Sequence, residues 1–151
     1  MPIKKHKLRL LGRHEYVDFP NLNLMGMEAK IDTGAYTSSL HCESIELKTE
    51  NGQNVLYFTL EQDQHLPHRF EDYEVRKIKN SFGEMEERFV IKTPVHIGHR
   101  TILSSISLSN RDNMKYPVLI GRRILKGRFL IDVNAVHSGG VPLKRLKHLF
   151  F

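Results

Sequence analysis

Ala29-Lys30-Ile31-Asp32-Thr33-Gly34-Ala35, continued by Thr37-Ser38-Ser39-Leu40, is the stretch whose setting settles the architecture. Upstream, Leu22–Ile31 alternates apolar and polar residues with period two, as a strand with one buried face does. That strand runs into Asp32-Thr33-Gly34, where a carboxylate precedes a small hydroxyl residue and then a residue without Cβ. Gly34 admits a sharp turn and lets neighbouring backbone approach the carboxylate without a side-chain clash. Ala35 is small enough to pack beneath the loop. Three residues of this kind recur in unrelated turns, so the flanking pattern has to carry the reading.

The flanks read as strands separated by turn chemistry. Asn51-Gly52 predicts a tight hairpin between Ile45-Glu46-Leu47 and Val55-Leu56-Tyr57-Phe58. A second hairpin is predicted from Tyr73–Ile78 to Arg88–Ile91, with its tip in Asn80-Ser81-Phe82-Gly83-Glu84. Val95–Arg100 and Ile102–Leu108 give two more strands around a glycine-containing turn. Pro117-Val118-Leu119-Ile120 is a short apolar run ending at Gly121. Arg122–Lys126 predicts one or two helical turns stopped by Gly127, after which Phe129–Val133 resumes strand character. Many short strands and one small helix predict an all-β barrel rather than an α/β layer fold. No internal repeat and no low-complexity segment is evident. Residues 1–23 read as an N-terminal strand segment, 24–133 as the main domain and 134–151 as a tail. In that tail Leu143, Leu146, Leu149 and Phe150 stand at helix-like spacing, predicting an amphipathic helix that docks on its own barrel or on a second protomer.

The 151 residues fit one domain, and 40% hydrophobic with 26% charged residues is an ordinary globular balance. No apolar run approaches the roughly 20 residues that cross a bilayer as a helix. Met1-Pro2-Ile3-Lys4-Lys5-His6-Lys7 is basic but is not followed by the apolar core of about 7–15 residues of a secretory signal, so a cytoplasmic location is expected. Cys42 is the single cysteine, which excludes an intrachain disulfide and a cysteine-built zinc site. A buried, small apolar side chain is expected there rather than a nucleophile. The net charge of +6 suits nucleic acid, an acidic substrate or a soluble surface. The basic residues are scattered except for Lys144-Arg145 and Lys147-His148, and no nucleic-acid-binding motif accompanies them. Neither a nucleic-acid nor a membrane partner is expected.

Hydrolysis by an aspartate pair needs two carboxylates about 3 Å apart sharing one proton and a water. The order found here is an apolar strand into Asp32-Thr33-Gly34-Ala35, a hairpin about fifty residues later, and Val118-Leu119-Ile120-Gly121-Arg122 leading into a short helix. This order resembles the retropepsin-like aspartic proteases. More closely, Lys30–His41 and Tyr116–Arg122, with Asn80–Glu84 and Asn110–Met114 between them, resemble the bacterial RimK-associated group also called "ATP-dependent zinc proteases". The resemblance runs from about Leu24 to Val133. It implies a closed acid-protease barrel with one short helix, acting as a two-fold homodimer, with Asp32, Thr33 and Gly34 as the catalytic motif. It further implies a flap at Ser81, Phe82 and Gly83 that closes over substrate, and a RimK-type ATP-grasp ligase as a partner. Two departures stand out: Tyr36 replaces a residue commonly basic in the group, and the stretch after Val133 has no counterpart.

One Asp-Thr-Gly in the chain means that a dyad must come from dimerisation, Asp32 facing Asp32 across the axis. Asp132 in Leu130-Ile131-Asp132-Val133 mimics the strand but lacks the glycine turn. His65-x-x-His68 and His96-x-x-His99 would need helices to share a face, and Pro67 and Gly98 interrupt them, so no metal and no cofactor is expected. Lys77, Lys79, Arg88 and Arg122 would border the cleft, favouring an acidic peptide or protein substrate; Ala35 and Tyr36 complete the expected substrate contacts. The alternatives are a non-catalytic peptide- or partner-binding module and, behind it, a zinc peptidase.

Overall fold

The computed structural model describes residues 8–60, 66–80, 82–110 and 115–139, with the backbone of 141–142. Thirteen strands are described: β1 Arg9–Leu11, β2 His14–Phe19, β3 Leu24–Ile31, β4 Ser38–His41, β5 Ser44–Glu50, β6 Gln53–Thr59, β7 His68–Phe70, β8 Glu74–Lys79, β9 Met85–Ile97, β10 Arg100–Ser109, β11 Val118–Ile120, β12 Phe129–Ile131 and β13 Val141–Pro142. One α-helix, α1 Arg122–Leu125, completes them. The expected mostly-β architecture with a single short helix is what the chain adopts.

Local chemistry accounts for the hairpins. Asn51 and Gly52 both take positive φ, 51° and 79°, and pair Glu50 with Gln53 across a two-residue turn. Gly98 and His99 do the same at 55° and 64° between β9 and β10. Two positive φ values give the turn a twist that matches its strands. Of the segment expected as a separate strand at Val95–Arg100, Val95–Ile97 is instead the far end of β9, which runs unbroken through Pro94, and Arg100 opens β10 after the Gly98-His99 turn. Val141 and Pro142, expected in an amphipathic helix, pair with β1 as β13, and the remainder of that stretch lies outside the described residues.

The largest sheet has the order β10-β4-β11-β3-β2-β9-β8, and β9 also pairs with β10. The pairings therefore return to their start, and β8 is carried outside the circuit on β9. Two small sheets, β12-β1-β13 and β5-β6-β7, flank it. Both contribute to one core: Leu11 and Phe129 from the first, Leu56 and Phe58 from the second, pack with Val17, Phe19, Ala29, Ile106 and Ile120 of the large sheet. Each fully buried aliphatic or phenyl side chain contributes about 1.5–3 kcal/mol of transfer free energy. The β2–β3 register shifts between Val17 and Phe19, and Gly26 at φ +65° absorbs the bulge.

What matters for function is the pairing of β3 with β11. The two run parallel, Val118 beside Ala29 and Ile120 beside Ile31. Their carboxyl ends, Asp32 and Gly121, therefore emerge side by side.

Candidate active site

Asp32 leaves β3 with its amide donating to the Ile120 carbonyl at 2.8 Å. The loop then closes on its own aspartate. Gly34 N–H donates to Asp32 Oδ1 at 3.0 Å and Ala35 N–H to the Asp32 carbonyl at 3.2 Å. Gly34 does not use the left-handed region. Its value lies in proximity, since a Cβ there would stand 3.2 Å from Asp32 Oδ1. Of the two expected uses of Gly34, close approach to the carboxylate is the one its position shows.

From the other side, Arg122 N–H donates to the Ala35 carbonyl at 2.8 Å and Arg123 N–H to the Tyr36 carbonyl at 3.1 Å. Arg122 Nη1 donates to the Thr33 carbonyl at 2.9 Å, and its guanidinium stands 5.8 Å from the centre of the Tyr36 ring. The Gly121 amide is taken by the Oγ of buried Ser38 at 2.9 Å. The loop is therefore held by main-chain bonds on both flanks, and one arginine spans it.

Over this loop opens a cleft of about 630 Å³. Asp32, Gly34, Ala35, Tyr36 and Arg122 line one side, with Thr37, Ser39 and Leu119. The β8–β9 hairpin supplies the other: Lys77, Ile78, Lys79, Asn80 and Arg88. Eight of the expected site and cleft residues, Asp32, Gly34, Ala35, Tyr36, Lys77, Lys79, Arg88 and Arg122, thus meet in one cavity. Thr33 is exposed beside it and is held through its carbonyl. Phe82 and Gly83 form the hairpin tip and do not line the cleft; Phe82 is 87% exposed. Ser81 lies outside the described residues. The tip is organised by Asn80, whose Oδ1 accepts from the amides of Phe82 and Glu84 at 2.9 and 3.0 Å, while Gly83 takes φ +81°.

The cleft is electropositive. Arg88 folds back on Glu86, Nε to Oε1 at 2.6 Å. Among the described residues, no carboxylate stands at ion-pair distance from Lys77, Lys79 or Arg122. Sequence reading pointed to these cations but assigned no role to Ser38 or Gly121, whose bond forms only when β4 and β11 pair. The Thr37-Ser38-Ser39 run directly after the loop was the available signal.

Cys42 is fully buried, and burial pushes its thiol up to about 12, which suits an inert packing residue. His68 stacks on Phe58, and His96 Nδ1 lies 3.1 Å from Thr101 Oγ1. Among the described residues no three His, Cys, Asp or Glu side chains gather as a metal-ligand set. No helix of the described residues is long and apolar enough to cross a membrane.

Compared with known proteins, residues 10–138 match the RimB-like family model, described as retropepsin-like aspartic endopeptidase RimB. The match extends past Val133, where the sequence reading found no counterpart. A protein named probable alpha-L-glutamate ligase from Desulfotalea psychrophila is 34% identical over 129 residues, covering 82% of this chain and 28% of the relative. Its namesake from Parasynechococcus marenigrum is 32% identical over 136 residues, 87% of this chain and 29% of the relative. The chain thus spans less than a third of these curated relatives. Among solved structures, a Legionella pneumophila protein of unknown function superposes with a TM-score of 0.67 at 27% identity, covering 87% of this chain and 98% of that one.

Proposed function

We propose that this chain, which belongs to the RimB-like family of retropepsin-like aspartic endopeptidases, hydrolyses peptide bonds in acidic, glutamate-containing tails. The observation that carries the proposal is a self-anchored Asp32 facing a cleft in which Lys77, Lys79 and Arg122 meet no carboxylate among the described residues. With Oδ1 engaged by the Gly34 amide, Oδ2 has no donor among the described residues. In this reading two copies pair about a two-fold axis, the circuit of strands serving in each as a closed barrel, and the two Asp32 carboxylates share a proton and a water. One carboxylate removes a proton from the water as its oxygen attacks the scissile carbonyl carbon, while the other donates a proton to the carbonyl oxygen. The first then passes its proton to the peptide nitrogen as the C–N bond breaks, and the second takes back the hydroxyl proton as the carbonyl re-forms, releasing acid and amine. Thr33 hydroxyls lock the paired loops, and the β8–β9 hairpin covers the substrate and excludes bulk water. Lys77, Lys79 and Arg122 engage substrate carboxylates by charge-assisted bonds.

The glutamate-ligase names of the longer relatives support the substrate class and a glutamate ligase as partner; in this reading that partner is the RimK-type ATP-grasp ligase, and both act in the cytoplasm. Those names also favour a second reading, in which the fold holds an acidic peptide for a ligase without cleaving it. Mass-spectrometric profiling of a peptide library with glutamate-rich tails, for wild type and Asp32→Asn with and without chelator, separates the two. Cleavage that disappears in Asp32→Asn and survives chelator is expected. Retention of glutamate-rich peptides without cleavage would move the conclusion to the binding module, and cleavage lost only to chelator would overturn the aspartate mechanism.

A further inference from the structure

The chain contains a second aspartate loop built on the same backbone frame as the first, although residue identity shows no obvious repeat. β1 runs parallel to β12, Leu11 beside Ile131, as β11 runs parallel to β3. Asp132 N–H donates to the Leu11 carbonyl at 2.8 Å, as Asp32 does to Ile120. Asp132 Oδ1 accepts from the amide two residues on, Asn134, at 2.9 Å, as Asp32 Oδ1 does from Gly34. Arg13 N–H donates to the Ala135 carbonyl at 2.8 Å and Arg13 Nη1 to the Val133 carbonyl at 3.2 Å, reproducing both Arg122 bonds. A Cβ on Gly12 would meet the Ala135 carbonyl at 2.4 Å, the counterpart of Gly121 against Ala35. Leu10-Leu11-Gly12-Arg13 with Ile131-Asp132-Val133-Asn134-Ala135 therefore repeats Leu119-Ile120-Gly121-Arg122 with Ile31-Asp32-Thr33-Gly34-Ala35.

The copies differ where dyad chemistry would need them alike. Val133 replaces Thr33 and has no hydroxyl to lock a facing loop, Asn134 adds a side chain at the Gly34 position, and Asp132 does not line the Asp32 cleft. They also differ in what receives the glycine amide. Ser38 takes Gly121, whereas Gly12 is taken by Glu15, a buried carboxylate that also accepts from Ser138 and Gly139 at 2.9 and 3.0 Å. Three amide donors on a carboxylate only 2% exposed make a rigid anchor for the whole second loop.

The two frames touch. Ile31, the residue before Asp32, donates its amide to the Arg13 carbonyl at 2.8 Å. We propose that the duplicated Asp132 frame is the positioning support for Asp32, with Arg13 and Asp132 as its positioning residues. Arg13 is fixed to the Asp132 loop by its amide and guanidinium, and its carbonyl fixes the last residue of β3. The Asp32 loop is thereby gripped by β11 on one flank and by the second frame on the other. This assignment rests on the proposed peptidase reading for its catalytic consequence, but its mechanical part stands without it.

The test uses the full chain carrying Asp132→Ala, Asp132→Asn or Arg13→Ala. It reads amide hydrogen exchange at residues 31–36, exchange in β5–β6 as an internal control, and kcat and KM separately on a cleaved peptide. In Asp132→Ala, exchange at Ile31 and Asp32 is expected to rise at least about tenfold with β5–β6 unchanged. kcat should fall on the order of 10²-fold with KM nearly constant, the size of effect a small misplacement of a reacting group produces. Asp132→Asn, which keeps an oxygen acceptor for the Asn134 amide, should restore both. Arg13 is exposed, so Arg13→Ala gives the same readout if the first variant does not fold. Unchanged exchange at 31–36 in the folded alanine variants would overturn the proposal. So would an Asp132→Asn variant that is as inactive as Asp32→Asn with native exchange, which would make Asp132 a catalytic carboxylate. If wild type cleaves nothing, the peptidase reading fails while the exchange data still decide the support.

Discussion

A methyl group on Gly121 would sit 2.8 Å from the carbonyl oxygens of both Ala35 and Tyr36. Backbone on both sides leaves nothing flexible to move, so Gly121→Ala is expected to destabilise by about 3 kcal/mol, the upper range for overpacking. It should also displace the Asp32 loop; denaturant unfolding and the Ala35 amide shift check both effects. Cys42 makes the opposite prediction. A buried thiol pushed up to about 12 should resist maleimide at neutral pH in the native protein and react after unfolding. Asp32, Ala35 and Arg122 were readable as cleft-lining residues because their chemistry shows in the local motif. Ser38, Gly12 and Glu15 were not, because Gly121, Ala135, and Ser138 with Gly139, which they respectively meet, are brought to them only by the fold.

The β8–β9 hairpin was legible as strand, tip and strand, yet its bearing on the cleft depends on the fold bringing Lys77–Asn80 and Arg88 opposite the Asp32 loop. Replacing Lys77 and Lys79 with Gln should raise KM for glutamate-rich peptides about tenfold and leave neutral peptides unchanged, measured by steady-state cleavage. The β5–β6 hairpin supplies a pH prediction. The Tyr57 hydroxyl first and the Arg69 guanidinium second hold Glu50 below the usual carboxylate range. A carboxylate lowered on folding contributes stability that is present above its unfolded value and is lost as pH falls through its folded one. Thermal unfolding should therefore show Glu50→Gln less stable than wild type near neutrality, with the two converging as pH drops below the ordinary carboxylate range.

For the assembled protein, the proposed dyad requires a two-fold pair. Sedimentation at rising concentration should show a dimer in wild type and in Asp32→Asn, and activity should track the dimer fraction. A chain of net charge +6 with an electropositive cleft should also lose kcat/KM for acidic peptides as ionic strength rises from about 0.01 to about 0.1 M, where the Debye length shrinks from about 30 to about 10 Å. kcat at saturation should hold. A salt-independent kcat/KM would remove the electrostatic basis for the substrate assignment.

Strand character, the Asn51-Gly52 and Gly98-His99 turns, the short helix stopped at Gly127 and the Asp32 loop are all written in neighbouring residues, because dihedral preference and hydrophobic period act over a few positions. Family membership was legible for the same reason, since the motifs that carry it are contiguous. The circuit of pairings closes only when β4 meets β10, β3 meets β11 and β2 meets β9, strands far apart in the chain, and the second frame at Gly12, Arg13 and Asp132 depended on contacts between residues more than a hundred positions apart. Val133 and Asn134 had replaced the residues by which the eye finds an Asp-Thr-Gly loop, while the backbone bonds that define its shape need no particular side chain. Folding could therefore preserve a geometry that the residue names had ceased to show.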